Sequence, residues 1–368
     1  MPISSRPPFA RRKLSIEELL EYLGHDLQIV TRDLTEIDFA GADLSRAKFV
    51  DCDLTGVDFR GTTLDEASFT MCDMARACFA GMTLTRVTLL SCAAEEADFT
   101  GAVLTDCQTG ATALQRAHFT ESEQLRCAFA QSPLTGASFE AASLETVAIL
   151  QSDLTDVSFK TTLLNTVFLT EADLRSADLT NTQFKQVLLI EGDLRGHNFA
   201  GQTLENCTIM QAQLDGVDFR GANLAYSIFL ESSLRKANLT GIDGSKTIFT
   251  RADLREADFT GSRLDMANFA GATLHRTSFI DCQLNIAQFD ESDARAAAFD
   301  RASLTQANFA NARVEGVSFR SARFHQTFMH MVDTDTTFTG GSTGSTFGTD
   351  QHRAVAERYN PFKVKLSN

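Results

Sequence analysis

From Leu34 to Phe324 the chain repeats every five residues without an insertion, fifty-nine units in all. A helix repeats at 3.6 residues and a strand at 2, so neither element accounts for a period of five. Positions ending in 4 are mostly Leu (Leu44, Leu54, Leu64), and those ending in 9 are mostly Phe (Phe39, Phe49, Phe59). Two residues before each centre sits a small side chain, as at Ala42, Ala47, Cys52, Val57, Thr62 and Ala67. Asp, Asn, Ser or Thr usually lies between the two. The unit therefore reads small, Asp/Asn, Leu/Phe, Thr/polar, polar/Gly.

The segments "GADLSRAKF", "EADLRSADL" and "RADLREADF" resemble the pentapeptide-repeat family, and the likeness covers about four-fifths of the chain. That resemblance implies an all-β fold, a right-handed quadrilateral parallel β-helix with one unit on each side of a square coil. Packing agrees with it. One large and one small inward residue per unit let four sides meet at a narrow axis without voids. Coils stacked at the inter-strand spacing of about 4.8 Å would make almost fifteen turns and a rod roughly 70 Å long. Residues twenty apart share a side, so Leu34, Leu54 and Met74 form one ladder and Phe39, Phe59 and Phe79 the next. Two opposite sides should carry Leu and the other two Phe.

A stacked coil exposes core and unpaired backbone at its ends, so caps are expected. The organisation expected is a tail and capping helix over 1–30, the β-helix over 31–330, and a C-terminal region over 331–368. In "LSIEELLEYL", Ser15 and Glu18 make a capping box, and Leu14, Ile16, Leu19, Leu20 and Leu23 are placed to cover the first coil. Beyond Phe328 come a Thr/Gly-rich loop (334–350), a short helix in "DQHRAVAERYN" and a basic tail, "PFKVKLSN".

The net charge of −15 argues against free nucleic acid as a ligand, because phosphates need a basic surface. It suits a basic protein partner. No apolar run is long enough to span a bilayer. Arg11-Arg12 is followed by an acidic segment, not a secretory apolar stretch. The expected location is the cytoplasm, with signal-less secretion as the alternative.

Seven cysteines (Cys52, Cys72, Cys92, Cys107, Cys127, Cys207, Cys282) fall on the small inward position, and Cys78 is the exception. They are expected to be buried free thiols, neither a metal set nor a disulfide framework. The seven histidines form no metal-binding spacing, and His197 takes a small inward position. "GIDGSKT" lacks the spacing of a phosphate loop. Its Gly244 centre beside Ile242 reads as packing compensation. No nucleophile–base set stands apart from the repeat's own residues, so no catalytic, cofactor or metal site is assigned and the chain is not expected to be an enzyme.

Departures from the repeat are the site candidates. Ala94, Thr109, Gln124, Gly244 and Ala294 are too small or too polar for the centre. On the side centred at 89, 109, 129 and onward, outward positions are often apolar: Leu90, Leu150, Phe168, Leu188, Ile190, Met210, Ile228, Leu230 and Ile248. Stacking makes these an apolar stripe, which is expected to mark a protein interface. Another side carries Asp173, Asp193, Asp253 and Asp293 before its centres and Arg175, Arg195, Arg235, Arg255 and Arg295 after them. These are expected to pair across coils.

The first functional reading is a non-catalytic protein-interaction rod, binding another protein or a second copy of itself as a homodimer. The N-terminal helix followed by a long uninterrupted coil is similar to pentapeptide-repeat proteins of bacterial type VI secretion loci, which implies an accessory, adaptor or effector role. The alternative follows from similarity to the fluoroquinolone-resistance pentapeptide proteins. It implies a DNA-mimicking regulator or protector of DNA gyrase or topoisomerase IV. An enzyme on a β-helix scaffold is the third reading, and the sequence offers it no convergent acids.

Overall fold

The computed structural model describes residues 11–25, 27–332, 343–349 and 351. It divides into two compact units, Met1–Gly192 and Asp193–Asn368, each a quadrilateral parallel β-helix. The four sides are numbered here by their centres: first (34, 54 and onward), second (39, 59), third (44, 64) and fourth (49, 69).

In the first unit the fourth side is a parallel ladder, and each strand pairs with the strand twenty residues on. Lys48–Val50 pairs with Ser68–Thr70, and Ala148–Leu150 pairs with Phe168–Thr170. The third side forms a second ladder from Thr83–Thr85 to Gln183–Lys185. The first and second sides meet as single bridges, such as Asp33↔Asp53 and Asp58↔Cys78. In the second unit bridges of this kind occur on every side, for example Gln213↔Ser233, Asp218↔Asn238, Asn223↔Asp243 and Ile228↔Ile248.

The five-residue period follows from the corner. At many corners the amide two residues before a centre donates to the previous centre, as in Ala47 N→Leu44 O at 3.0 Å, and at others to a hydroxyl one coil on, as in Cys92 N→Thr112 Oγ1 at 3.3 Å. The residue two after a centre turns the chain in the left-handed region, at φ 77° for Gly41 and 61° for Arg46. Glycine enters that region freely, whereas other residues cost about 1–2 kcal/mol each. The Asp before a centre secures the side: Asp53 Oδ1 accepts from Thr55 N at 3.1 Å, and Asp258 Oδ1 from Thr260 N at 2.9 Å. This local role explains why the repeat is rich in aspartate.

Inside, the Phe ladder of the second side stacks from Phe39 to Phe159, with Phe59 and Phe79 at 4.8 Å between centroids. Rings from the second and fourth sides meet edge-on across the axis, as in Phe119 and Phe129 at 5.6 Å. In the second unit Phe269 and Phe279 do the same at 5.3 Å. Each fully buried ring is worth about 1.5–3 kcal/mol before ordering entropy is set against it.

The small slot accepts Cys, Ser and Thr because each reaches a carbonyl one coil back. Cys52 Sγ donates to Ile29 O at 3.3 Å, Thr112 Oγ1 to Leu89 O at 3.0 Å and Ser262 Oγ to Leu239 O at 2.7 Å. All eight cysteines are free thiols. Seven are buried and Cys78 is half-buried. Burial pushes the Cys282 thiol up to about 12.

Helix α1 spans Ile16–Gly24 and carries the expected capping box: Glu18 N donates to Ser15 Oγ, and Ser15 N to Glu18 Oε2, both at 3.2 Å. Leu14 and Leu19 are buried, whereas Leu20 is exposed and does not cover the first coil. Arg12–Lys13 pairs with Arg32–Asp33, which puts Leu14 twenty residues before Leu34 on the first side. The buried centres extend beyond the predicted register, from Ile29 to Met329. Part of the expected Thr/Gly-rich loop is a strand. Thr343–Phe347 pairs with Arg323–Phe328, with a one-residue shift between Phe324 and Thr327. The edge of the last coil offers unpaired donors, and Thr and Phe suit a strand. The helix expected in 350–360 falls outside the described residues, Gln351 apart.

Candidate protein-interaction face

The predicted apolar stripe lies on the fourth side in each unit. Its backbone amides and carbonyls are spent on coil-to-coil pairing: Phe168 N donates to Val147 O and Leu188 N to Val167 O, at 2.9 and 2.8 Å. Any contact must therefore use side chains. The outward residues of a strand sit beside their equivalents one coil away. Phe168 lies between Ala148 and Leu188, and Thr170 between Leu150 and Ile190.

That pairing sets the exposure of the predicted stripe. In the first unit Leu90 and Phe168 are exposed, at 44% and 39%, while Leu150, Leu188 and Ile190 are half-buried. In the second unit Met210, Ile228, Leu230 and Ile248 are all half-buried. Ile228 bridges Ile248 directly. Neighbouring apolar groups cover one another on a flat ladder, so each offers an outer edge and not its whole surface.

Sequence reasoning missed a corner beside this face. Tyr226, Met266 and Ile286 are exposed at 50%, 48% and 40%, all in left-handed conformations. They stand at the slot that the repeat gives to Gly or polar residues, and that mismatch was the signal. Lys246, in the same column, lies over the Tyr226 ring at 4.7 Å and donates to its hydroxyl at 3.1 Å.

Ionic ladders line the coil corners. Glu66 bonds Arg86 at 2.6 Å and Arg46 at 3.0 Å, and these guanidiniums hold its carboxyl below the usual range. The Arg columns meet the expected cross-coil pairing in part, at Arg235 with Asp253, and also pair within a coil. Arg175, Arg255 and Arg295 grip Asp173, Asp253 and Asp293 inside their own coils, at 2.6, 2.6 and 2.5 Å. Arg195 does the same to Asp193 at 2.6 Å. Arg235 reaches across a coil to Asp253 at 2.6 Å. The Asp carboxylate is already held by the amide two residues on, so a guanidinium on that residue folds back onto it.

The interior departures are packing features. Ala94 and Ala294 are buried. A Cβ on Gly244 would lie 2.7 Å from Leu264 Cδ2 and 3.1 Å from Ile242 Cδ1, so those side chains fill its space. Thr109 is half-buried beside a cavity of about 20 Å³ lined by Leu89, Phe99, Leu104, Leu114, Phe119 and Phe129. Gln124 is buried: its Nε2 donates to Ser122 Oγ at 3.2 Å, and its Oε1 has no partner among the described residues. His197 is half-buried, its ring 5.8 Å from that of Phe199. Among the described residues no group of three His, Cys, Asp or Glu side chains is placed to hold a metal ion. No helix there is long and apolar enough to cross a membrane.

The family defined as the pentapeptide repeat region matches residues 31–99, 122–199 and 252–329, and that of pentapeptide repeats (8 copies) matches 182–224 and 212–251. The chain belongs to the pentapeptide-repeat family. Among solved structures, this pentapeptide-repeat chain is similar to full-length QnrB1, a plasmid-mediated fluoroquinolone resistance protein. Identity is 15% over 53% of this chain and 96% of that one, with a TM-score of 0.29. It is also similar to HetL of the cyanobacterium Nostoc sp. strain PCC 7120, a pentapeptide repeat protein involved in heterocyst differentiation regulation. There the identity is 21% over 80% of this chain and 96% of that one, with a TM-score of 0.18. Rfr23 of the cyanobacterium Cyanothece 51142 matches at 16% identity over 42% and 88% of the two chains, with a TM-score of 0.16. Curated proteins gave no significant match.

Proposed function

We propose that this pentapeptide-repeat chain is a non-catalytic protein-interaction scaffold whose fourth side is the docking face. The observation that carries this reading is Phe168 beside Leu188, an exposed aromatic paired with an aliphatic neighbour on a ladder whose backbone is already satisfied. Surface apolar groups clustered in this way usually mark interfaces. In the first unit the face comprises Leu90, Leu150, Phe168, Leu188 and Ile190. In the second it comprises Met210, Ile228, Leu230 and Ile248. The finer role is that of a cytoplasmic accessory, adaptor or signal-less effector of a bacterial secretion system. The net charge of −15 favours a second reading, an acidic regulator of DNA gyrase or topoisomerase IV.

The test compares wild type with Leu188→Asp/Ile190→Asp/Leu230→Asp, after matching their circular dichroism and melting curves. Affinity capture from native lysate reads a foreign partner, and sedimentation over a concentration series reads self-association. The proposal expects one of the two to be present in wild type and lost in the variant. A partner or a dimer that survives the substitutions overturns it. A secretion component or a topoisomerase in the captured fraction separates the two finer roles.

A further inference from the structure

The two borders of the fourth side differ in charge, and the difference selects a partner. In the first unit Glu171 and Glu191 occupy successive coils at the corner that follows Phe168–Thr170 and Leu188–Ile190. Both are exposed, and their backbones are one coil apart, with Glu171 N on Ile190 O at 2.9 Å. Glu171 Oε1 accepts from Gln151 Nε2 at 3.0 Å, and Gln151 Oε1 accepts from Gln131 Nε2 at 3.4 Å. This amide ladder orients the carboxylate without neutralising it. Among the described residues neither glutamate has an ion pair. The equivalent corner of the second unit is compensated: Glu231 accepts from Gln211 at 3.1 Å and bonds Arg251 at 3.2 Å. The opposite border of the first-unit patch carries Thr146, Thr166 and Gln186, all uncharged. The nearest charges beyond it are Glu145 and Lys185, on the third side.

We infer that the patch of Leu150, Phe168, Leu188 and Ile190, edged by Glu171 and Glu191, docks a cationic amphipathic helix of a partner protein. This rests on the reading of the fourth side as a docking face and adds the partner's chemistry. Three features select that occupant. The backbone of the face is fully paired, so an added strand finds no donors or acceptors and recognition is by side chains. Three coils stacked at about 4.8 Å span about 10 Å, close to two turns of helix at 5.4 Å each. Two stacked carboxylates repel one another, and a partner's Lys or Arg relieves that repulsion while its apolar stripe covers Phe168 and Leu188. The uncharged border fixes which flank of the helix carries the cations.

The probe is a fluorescent 18-residue Leu/Lys amphipathic peptide, with a Leu/Glu peptide of the same apolar pattern as its counterpart. Anisotropy is read with the full chain. The inference expects binding of the Leu/Lys peptide only. Glu171→Gln/Glu191→Gln should weaken it about three- to tenfold. Glu121→Gln/Glu123→Gln, on the diagonally opposite corner and the third side, should leave it unchanged. Phe168→Asp/Leu188→Asp should abolish it. Equal weakening by both Glu→Gln pairs overturns the inference, because attraction is then diffuse. Loss with Phe168→Asp/Leu188→Asp but indifference to Glu171→Gln/Glu191→Gln also overturns it and leaves the docking face standing. Indifference to both overturns the inference and the docking face together.

Discussion

The Thr109 hydroxyl donates to Ser132 Oγ at 3.2 Å, bridging two coils where the fourth side lacks a large centre. The neighbouring centres are Leu89 and Phe129, and the space between them is the cavity of about 20 Å³. Thr109→Leu should remove a polar group and fill the void. We expect stabilisation of about 1 kcal/mol, near the value of one buried methylene. Urea unfolding at constant m checks it, and a lower midpoint would show that the coil is too tight for the larger side chain.

Phe119 stacks on Phe99 and Phe139 at 4.9 and 4.7 Å and meets Phe129 edge-on. Phe119→Ala should cost about 3–5 kcal/mol, and Phe119→Leu much less. Hydrogen exchange should show the loss concentrated in adjacent coils, because each coil is supported mainly by its neighbours.

Asp293 is held below the ordinary carboxylate range by the Arg295 side chain, although partial burial opposes the shift. A folded value below the unfolded one means that this pair stabilises the fold above the unfolded value, about 3.9. That contribution is lost as pH falls through the folded value. In Arg295→Gln the Asp293 titration, followed by NMR, should move up toward 3.9 and the added acid sensitivity should shrink. An unmoved titration would show that the pair has no thermodynamic role.

Ser15→Ala removes one half of the α1 capping box. It should raise amide exchange at residues 16–18 and cost about 1 kcal/mol, with the distant coils unchanged.

The ladders were legible because a period of five, with one large and one small inward residue, admits few packings. Phe39, Phe59 and Phe79 stack as the spacing predicts. Side-chain direction was less legible. Arg175 turns to Asp173 because a backbone bond aims that carboxylate, and no count along the chain reveals the aim. Leu20 faces solvent because tertiary contacts set the roll of α1. Tyr226, Met266 and Ile286 are readable as apolar residues in a Gly/polar slot, but they stand at corners and not at the positions that flank the centres.

The most direct test of the fourth side as the docking face is site-specific photo-crosslinking in native extract. A benzophenone side chain replaces Phe168, Leu188 or Ile228 on that side, and Asp58, Ser138 or Asn238 on the second side. The account predicts discrete adducts from the first three positions and none from the others. Adducts from the second-side positions, with none from the fourth, would contradict it.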